Sequence, residues 1–396
     1  MTGRYDFETL INRTNTGSEK WNMMRAARPD VPEDIVPFSV ADMEFRPAPE
    51  IVEGLKKYLD EAVLGYTEAT DAYYDAVIHF MEKHHGFSPK REWIVESPGI
   101  VPALVKMVAA FTKPEDSVLI LRPVYYPFTR AVEQNGRNLV VSELLVKQNR
   151  YEIDFEDLER KASRPEVTLM IFCSPHNPVG RVWTKEELLR VCDICYRNQV
   201  FLISDEIHFD LIMPGYTHIS MAALEEKYRN NCVVCTAPTK TFNIAGLQVS
   251  NLIIPKEEYR DKMNSAGGYE TLNAVSYKAC ELAYREGEAW LEELIAYLDR
   301  NRRLVEEFLA EKLPMIKASP LEGTYLMWLD FSALGMEAEE LERFMQEEAL
   351  WFTDEGYIFG ESGRGYERLV IACPGWVLQD ALVRLERAVA GRGMVE

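Results

Sequence analysis

The sequence predicts an α/β protein with a large domain built on a mainly parallel sheet and a smaller α+β domain. Three observations lead there. The chain has 396 residues, more than one hydrophobic core usually serves. Between about residues 90 and 255, short β-rich runs alternate with helical patterns, as in parallel sheets with crossover helices. After about residue 285 that alternation gives way to longer helices and isolated strands. The expected boundaries are 46–285 for the large domain, with 1–45 and 286–396 forming the small one.

Taken in order, the segment 29–49 carries five prolines, which favour extended or turn backbone, and is expected to wrap the surface. Strands are expected at 117–121, 139–142, 168–173, 200–204, 232–235 and 249–254, with helices such as 101–111 and Lys185–Arg197 between them. The second of these helices follows a candidate N-cap, Thr184, and its Leu188, Val191, Cys192 and Cys195 share one apolar face. A long amphipathic helix is expected over 289–312, ended by Pro314. Strands near 325–329 and 368–372 and helices near 338–348 and 377–389 complete the small domain. There is no internal repeat and no low-complexity segment.

Composition excludes several classes of function. Forty-four basic against 64 acidic residues give a net charge of −20, and no block of Lys or Arg occurs. A nucleic-acid surface needs a basic stripe, so none is expected, although a local positive pocket for a small anion is compatible. The first eight residues lack the apolar core of a secretion signal, and no apolar stretch reaches the roughly 18 to 20 residues of a membrane span. Seven cysteines, an odd number, indicate reduced thiols and a cytoplasmic address. Two C-x-x-C pairs invite a zinc reading. Cys232 and Cys235 lie in a strand pattern, where residues three apart face opposite sides, and Cys192 and Cys195 belong to an apolar helix face. All four are expected to be packing residues, with no metal.

Four features lie at predicted strand ends, where ligands sit in such sheets. The run Val233-Val234-Cys235-Thr236-Ala237-Pro238-Thr239-Lys240 carries a strand out to a lysine, which alone reads as a solvated charge. Phe201-Leu202-Ile203-Ser204-Asp205 ends an apolar strand in a carboxylate that could pair with a protonated ring nitrogen or cap a helix. Ser174-Pro175-His176-Asn177-Pro178-Val179-Gly180 alone reads as a tight turn. Ser97-Pro98-Gly99-Ile100 opens a helix, where a glycine lets backbone N–H groups approach a phosphate.

In combination and in this order, these features resemble the fold-type I pyridoxal 5′-phosphate (PLP) enzymes, the aspartate aminotransferase superfamily (class I/II). The resemblance covers essentially the whole chain. It implies the PLP-dependent transferase fold, with Lys240 as the Schiff-base lysine and Asp205 keeping the pyridine nitrogen protonated. It further implies Asn177 bonding the phenolic oxygen, Tyr125 stacking on the ring, and the Gly99 and Ile100 amides cradling the phosphate. Arg368, in Glu367-Arg368-Leu369-Val370-Ile371-Ala372, matches the arginine that binds the substrate α-carboxylate, with Tyr126 as a second substrate contact; read alone, Arg368 would be a surface residue. Tyr66, in Leu64-Gly65-Tyr66-Thr67, matches the tyrosine that reaches the cofactor phosphate of the neighbouring subunit, which implies a homodimer.

Three runs narrow the match: Val40-Ala41-Asp42-Met43-Glu44-Phe45, Asp205-Glu206-Ile207-His208-Phe209-Asp210-Leu211 and Lys240-Thr241-Phe242-Asn243-Ile244-Ala245-Gly246-Leu247. They look like the MalY/PatB/cystalysin branch of cystathionine β-lyases (C–S lyases). His208 stands where most aminotransferases carry Tyr and could still donate to the phenolic oxygen. Ala237 stands where many carry a phosphate-binding Ser, so that Thr239 would supply the contact. Val370 replaces the usual Asn, and 350–355 is bulkier and more acidic than usual, which bears on the substrate. The implied reaction is β-elimination from an S-substituted cysteine, a small-molecule amino-acid substrate, to thiol, pyruvate and ammonia, with Lys240 taking the Cα proton. The runner-up is amino transfer to a 2-oxo acid. A PLP-binding transcriptional regulator would need an extra basic helix-turn-helix domain, for which the chain has neither length nor charge.

Overall fold

Apolar runs of the first two-thirds of the chain assemble into one seven-stranded sheet. The computed structural model describes residues 3–267 and 271–393. The strands are β1 (Ile94–Ser97), β2 (Ser117–Arg122), β3 (Asn138–Glu143), a separate hairpin of β4 (Leu145–Lys147) and β5 (Arg150–Glu152), then β6 (Val167–Cys173), β7 (Phe201–Asp205), β8 (Cys232–Thr236) and β9 (Ser250–Ile253). The sheet order is β1-β9-β8-β7-β6-β2-β3. Pairs β2–β3, β2–β6, β6–β7 and β7–β8 are parallel, while β9 runs antiparallel to both β8 and β1. The carboxyl ends of β2, β6, β7 and β8 therefore share one edge, which is where a parallel sheet places its ligand.

Both faces of this sheet are covered, so its strands read as continuous apolar runs. In β8, Cys232 and Val234 pack into one core cluster while Val233 and Cys235 pack into the other, as the period of two requires. All seven cysteines are free and buried. Burial pushes the Cys192 thiol up to about 12. Its sulfur lies 3.9 Å from Met221 Sδ, and Cys195 Sγ lies 3.7 Å from Met170 Sδ, the contacts of packing residues. Among the described residues, no group of three or more His, Cys, Asp or Glu could hold a metal ion. Nor is any helix among them long and apolar enough to cross a membrane.

The helix Lys185–Arg197 begins as its sequence dictates, with a capping box in which Thr184 and Glu187 satisfy each other's backbone N–H. A second, antiparallel sheet follows, in the order β10 (Lys317–Ala318), β11 (Leu326–Asp330), β13 (Tyr366–Val370), β12 (Asp354–Glu355). The long helix Glu288–Lys312 and the C-terminal helix Gly375–Gly391 pack together beside it.

Three expectations are corrected. The segment 29–49 does not wrap the surface: Val31, Ile35, Val36, Phe38, Met43, Phe45 and Ala48 are all buried. Proline keeps it irregular, but its backbone polar groups find partners inside. The Phe38 N–H donates to Phe352 O, Phe38 O accepts from Val370 N–H, and the Glu44 N–H donates to Ala372 O. The helix expected over 338–348 is α-helical only at Ala338–Arg343 and widens to a π-helical turn at Phe344–Ala349, a shift in hydrogen bonding that side-chain periodicity does not reveal. The strand expected at 368–372 is Tyr366–Val370, because Ile371 already leaves the ladder to bond Tyr325 O. The hairpin β4–β5 was not foreseen, since three-residue strands carry too little pattern.

Candidate active site

The strand ends open into a cavity of about 1350 Å³. Lys240, Asp205, Asn177, His208, Tyr125, Tyr126, Thr239, Gly99, Ile100 and Arg368 all line it, although they come from segments spread over 270 residues. Tyr66 does not: it is fully exposed, in a run with the exposed apolar Val63 and Leu64.

Lys240 ends up there because β8 runs into a one-turn helix, Pro238–Thr241, started by a proline at its first position. The lysine is half-buried, and its Nζ donates to Ala41 O at 2.6 Å. Burial lowers its pKa to about 8, helped by the Arg368 charge and opposed by Asp42. An amine with that value is a base and nucleophile near neutrality, unlike a solvated lysine.

Asp205 is the last residue of β7 and is buried. The Ile207 N–H donates to its Oδ1 at 3.2 Å, in a turn rather than in the helix cap that its isolated reading offered. Burial raises its pKa to about 7 against the Ile207 N–H and the Lys240 charge. A buried carboxylate compensated this weakly fits a cation facing it from the cavity. His208 is buried with its Nδ1 lacking any protein partner. Burial, Lys240 and Arg368 hold its pKa well below the ordinary value, so the ring is a neutral donor and acceptor.

Asn177 Oδ1 accepts from Arg368 Nη1 at 2.9 Å, which leaves the amide NH₂ free to donate. The backbone of Asn177 accepts from the Tyr125 N–H at 3.1 Å and so ties the aromatic to this turn. Gly99 caps the helix Ile100–Phe111 without any side-chain cap bond. A Cβ at position 99 would meet only the Pro102 ring, at 3.5 Å, so the approach to the first-turn N–H groups is open. Thr239 is buried and adds a hydroxyl to the lining, whereas Ala237 adds none.

Arg368 is 2% exposed, not the surface residue that its isolated reading suggests. Its Nε and Nη2 donate to Asp354 Oδ2 at 3.2 and 2.5 Å, and its guanidinium lies 4.8 Å from the Phe359 ring centroid. Held along one edge, the fork presents what remains to the cavity. Asp354 was visible only as part of an acidic run, and its pairing with Arg368 depends on the β12–β13 register.

Sequence reasoning also missed the charge cluster that fixes Ala41. Lys20 is buried, with Nζ 3.0 Å from Asp42 Oδ1 and 2.7 Å from Glu44 Oε1, and Arg13 pairs with both carboxylates. Asn243 clamps the same segment from the Lys240 side, accepting from the Met43 N–H and donating to the Met43 and Phe45 carbonyls. The Tyr325 hydroxyl joins Lys240 on Ala41 O, at 2.8 Å. The Val40–Phe45 motif is local, but its partners Lys20, Arg13 and Asn243 lie far away in sequence and leave no signal in it.

These residues fit pyridoxal phosphate. The weakly compensated Asp205 suits a pyridinium N–H, the orphan His208 Nδ1 and the free Asn177 amide suit a phenolic oxygen, and the bare helix N-terminus suits a phosphate.

Known proteins agree. The family described as aminotransferase class I and II matches residues 33–375. The chain is 42% identical to cystathionine beta-lyase PatB of Bacillus subtilis over 97% of this chain and all of that protein. It is 30% identical to protein MalY of Escherichia coli over 98% of this chain and 97% of that one. The crystal structure of cystalysin from Treponema denticola, which contains a pyridoxal 5′-phosphate cofactor, superposes with a TM-score of 0.97 at 46% identity, covering 98% of this chain and 99% of that one.

Proposed function

The chain belongs to the aminotransferase class I and II family, and from that premise we propose that it is a pyridoxal-phosphate-dependent carbon–sulfur β-lyase. It cleaves L-cystathionine, or a related S-substituted cysteine, to a thiol, pyruvate and ammonia. The observation that carries the reaction is the end-to-end similarity, at 42% identity, to a protein named cystathionine beta-lyase.

When bound, pyridoxal phosphate supplies an electron sink for the electrons released at the substrate Cα. Lys240 would carry the cofactor, and once the substrate's own amine has taken its place there, the freed Lys240 amine, poised at about 8, can take the Cα proton. Asp205 holds the ring nitrogen's proton, Asn177 and His208 serve the phenolic oxygen, and Tyr125 covers the ring. The Gly99 and Ile100 N–H groups and the Thr239 hydroxyl hold the phosphate. Arg368 takes the substrate α-carboxylate, with Tyr126 as its neighbour in the substrate pocket.

The enzyme acts as a homodimer in which Tyr66 serves the partner's site; its full exposure beside Val63 and Leu64 supports this. Seven buried free thiols support a cytoplasmic address. If sites are shared, refolding inactive Lys240→Ala together with inactive Tyr66→Phe restores part of the activity, because one hybrid site regains both residues. A monomer in sedimentation at assay concentration rules sharing out.

The reaction is tested by supplying L-cystathionine alone, then L-alanine with a 2-oxo acid. Pyruvate and free thiol from the first are expected to exceed amino transfer in the second at least tenfold, a barrier difference of about 1.4 kcal/mol. Amino transfer without thiol release would replace the lyase by an aminotransferase.

A further inference from the structure

The residue after Lys240 belongs to a buried network that does not line the cavity. Thr241 Oγ1 donates to Asp210 Oδ2 at 2.6 Å. Asp210 Oδ1 lies 2.7 Å from His85 Nε2, with both side chains buried. The His85 ring stacks on Phe209 at 4.0 Å and 15°, and His85 ends the helix Asp71–His85.

We propose that Asp210 is a positioning residue that fixes Lys240 through the Thr241 hydroxyl. The helix Pro238–Thr241 is a single turn without a side-chain cap, and such a turn does not hold its own orientation. Its backbone is tied to neighbouring residues by Phe242 N–H to Pro238 O and Ile244 N–H to Thr239 O. Asp210 belongs to the loop that follows Asp205 at the end of β7 and carries His208, and this loop is folded on itself by Phe209 N–H to Glu206 O and Leu211 N–H to His208 O. One carboxylate thus couples the lysine's turn to the loop that leaves Asp205, and His85 anchors that carboxylate to a third element. The distance between the Lys240 amine and the Asp205 carboxylate is set by this brace.

The inference rests on Lys240 being the cofactor-bearing lysine, and the experiment separates the two claims. Wild type, Thr241→Val and Thr241→Ser holoenzymes are reduced with borohydride, and the cofactor fixed on Lys240 is counted. Exchange of the L-alanine Cα hydrogen in deuterium oxide and circular dichroism of the bound cofactor are then recorded. Thr241→Val is expected to keep the fixable cofactor and a half-saturating alanine concentration within about threefold. Its saturated exchange rate should fall tenfold or more, since a misplacement of about 1 Å costs up to ~10²-fold. Its cofactor dichroism should change, and Thr241→Ser should restore both. If Thr241→Val does not fold, Thr241→Ala removes the same hydroxyl and carries the same expectation. Wild-type exchange and dichroism in the hydroxyl-less variant would overturn the brace alone. Absence of cofactor on Lys240 in the wild type would overturn both claims.

Discussion

Lys240→Ala abolishes turnover of L-cystathionine, with an expected loss of at least about 10⁴-fold, because one substitution removes both the covalent anchor and the base. The variant still offers a cavity, since Asp205, Asn177, Arg368 and the bare helix N-terminus are untouched. It should therefore bind pyridoxal phosphate reversibly, but borohydride should fix none of it to the chain. Cofactor covalently fixed after reduction of Lys240→Ala would show that another lysine is the anchor.

Asp205→Asn should have opposite effects on activity and on the stability of the cofactor-free protein. An unfolded chain has its aspartates near 3.8, whereas burial holds Asp205 near 7 in the folded protein. Between those values the folded state binds more protons than the unfolded one, so its stability falls as pH rises, and the loss is complete above about 7. The difference of about 3 pH units corresponds to roughly 4 kcal/mol at pH 8, an upper bound that relaxation would reduce. Glu355, raised to about 7 by burial, and Glu367, also raised by burial, slope the same way. Cofactor-free Asp205→Asn should accordingly melt several degrees above the cofactor-free wild type at pH 8, and at the same temperature near pH 4. Turnover should drop by about 10²-fold or more, because the ring nitrogen loses its counter-charge. Equal melting temperatures at pH 8 would mean that Asp205 is already compensated without the cofactor. A favourable charge at one site thus opposes stability until its ligand arrives, the trade expected of a functional group held in place by its surroundings.

The parts legible in the sequence were those written locally. Asp205 ends an apolar run, and Asn177 and Lys240 each stand four residues beyond the end of one, so the run that makes the strand also announces the residue near its end. The boundaries of Lys185–Arg197 were legible because a capping box and an apolar stripe fix both its start and its face. What could not be read depends on distant partners. Nothing near Arg368 says that Asp354 will hold its edge, and nothing near Lys20 says that Asp42 and Glu44 will bury it. The proline-rich stretch 29–49 was misplaced for the same reason. Its irregularity is local, but its burial depends on backbone partners in the last third of the chain.

Those partners have a consequence for how the protein is made. Phe38 exchanges hydrogen bonds with Phe352 and Val370, residues more than three hundred positions later. During synthesis the N-terminal segment emerges first, yet its permanent partners leave the ribosome almost last. Pairing across such a separation is slow, because so much chain must be closed into a loop before the contact forms. Until then the Phe38 and Phe45 side chains, deep in the finished core, are exposed on a nascent chain whose large sheet can already be in place. Completion of the Ala41 station for Lys240 is therefore a late event, which makes the lysine's surroundings one of the last parts of the molecule to mature.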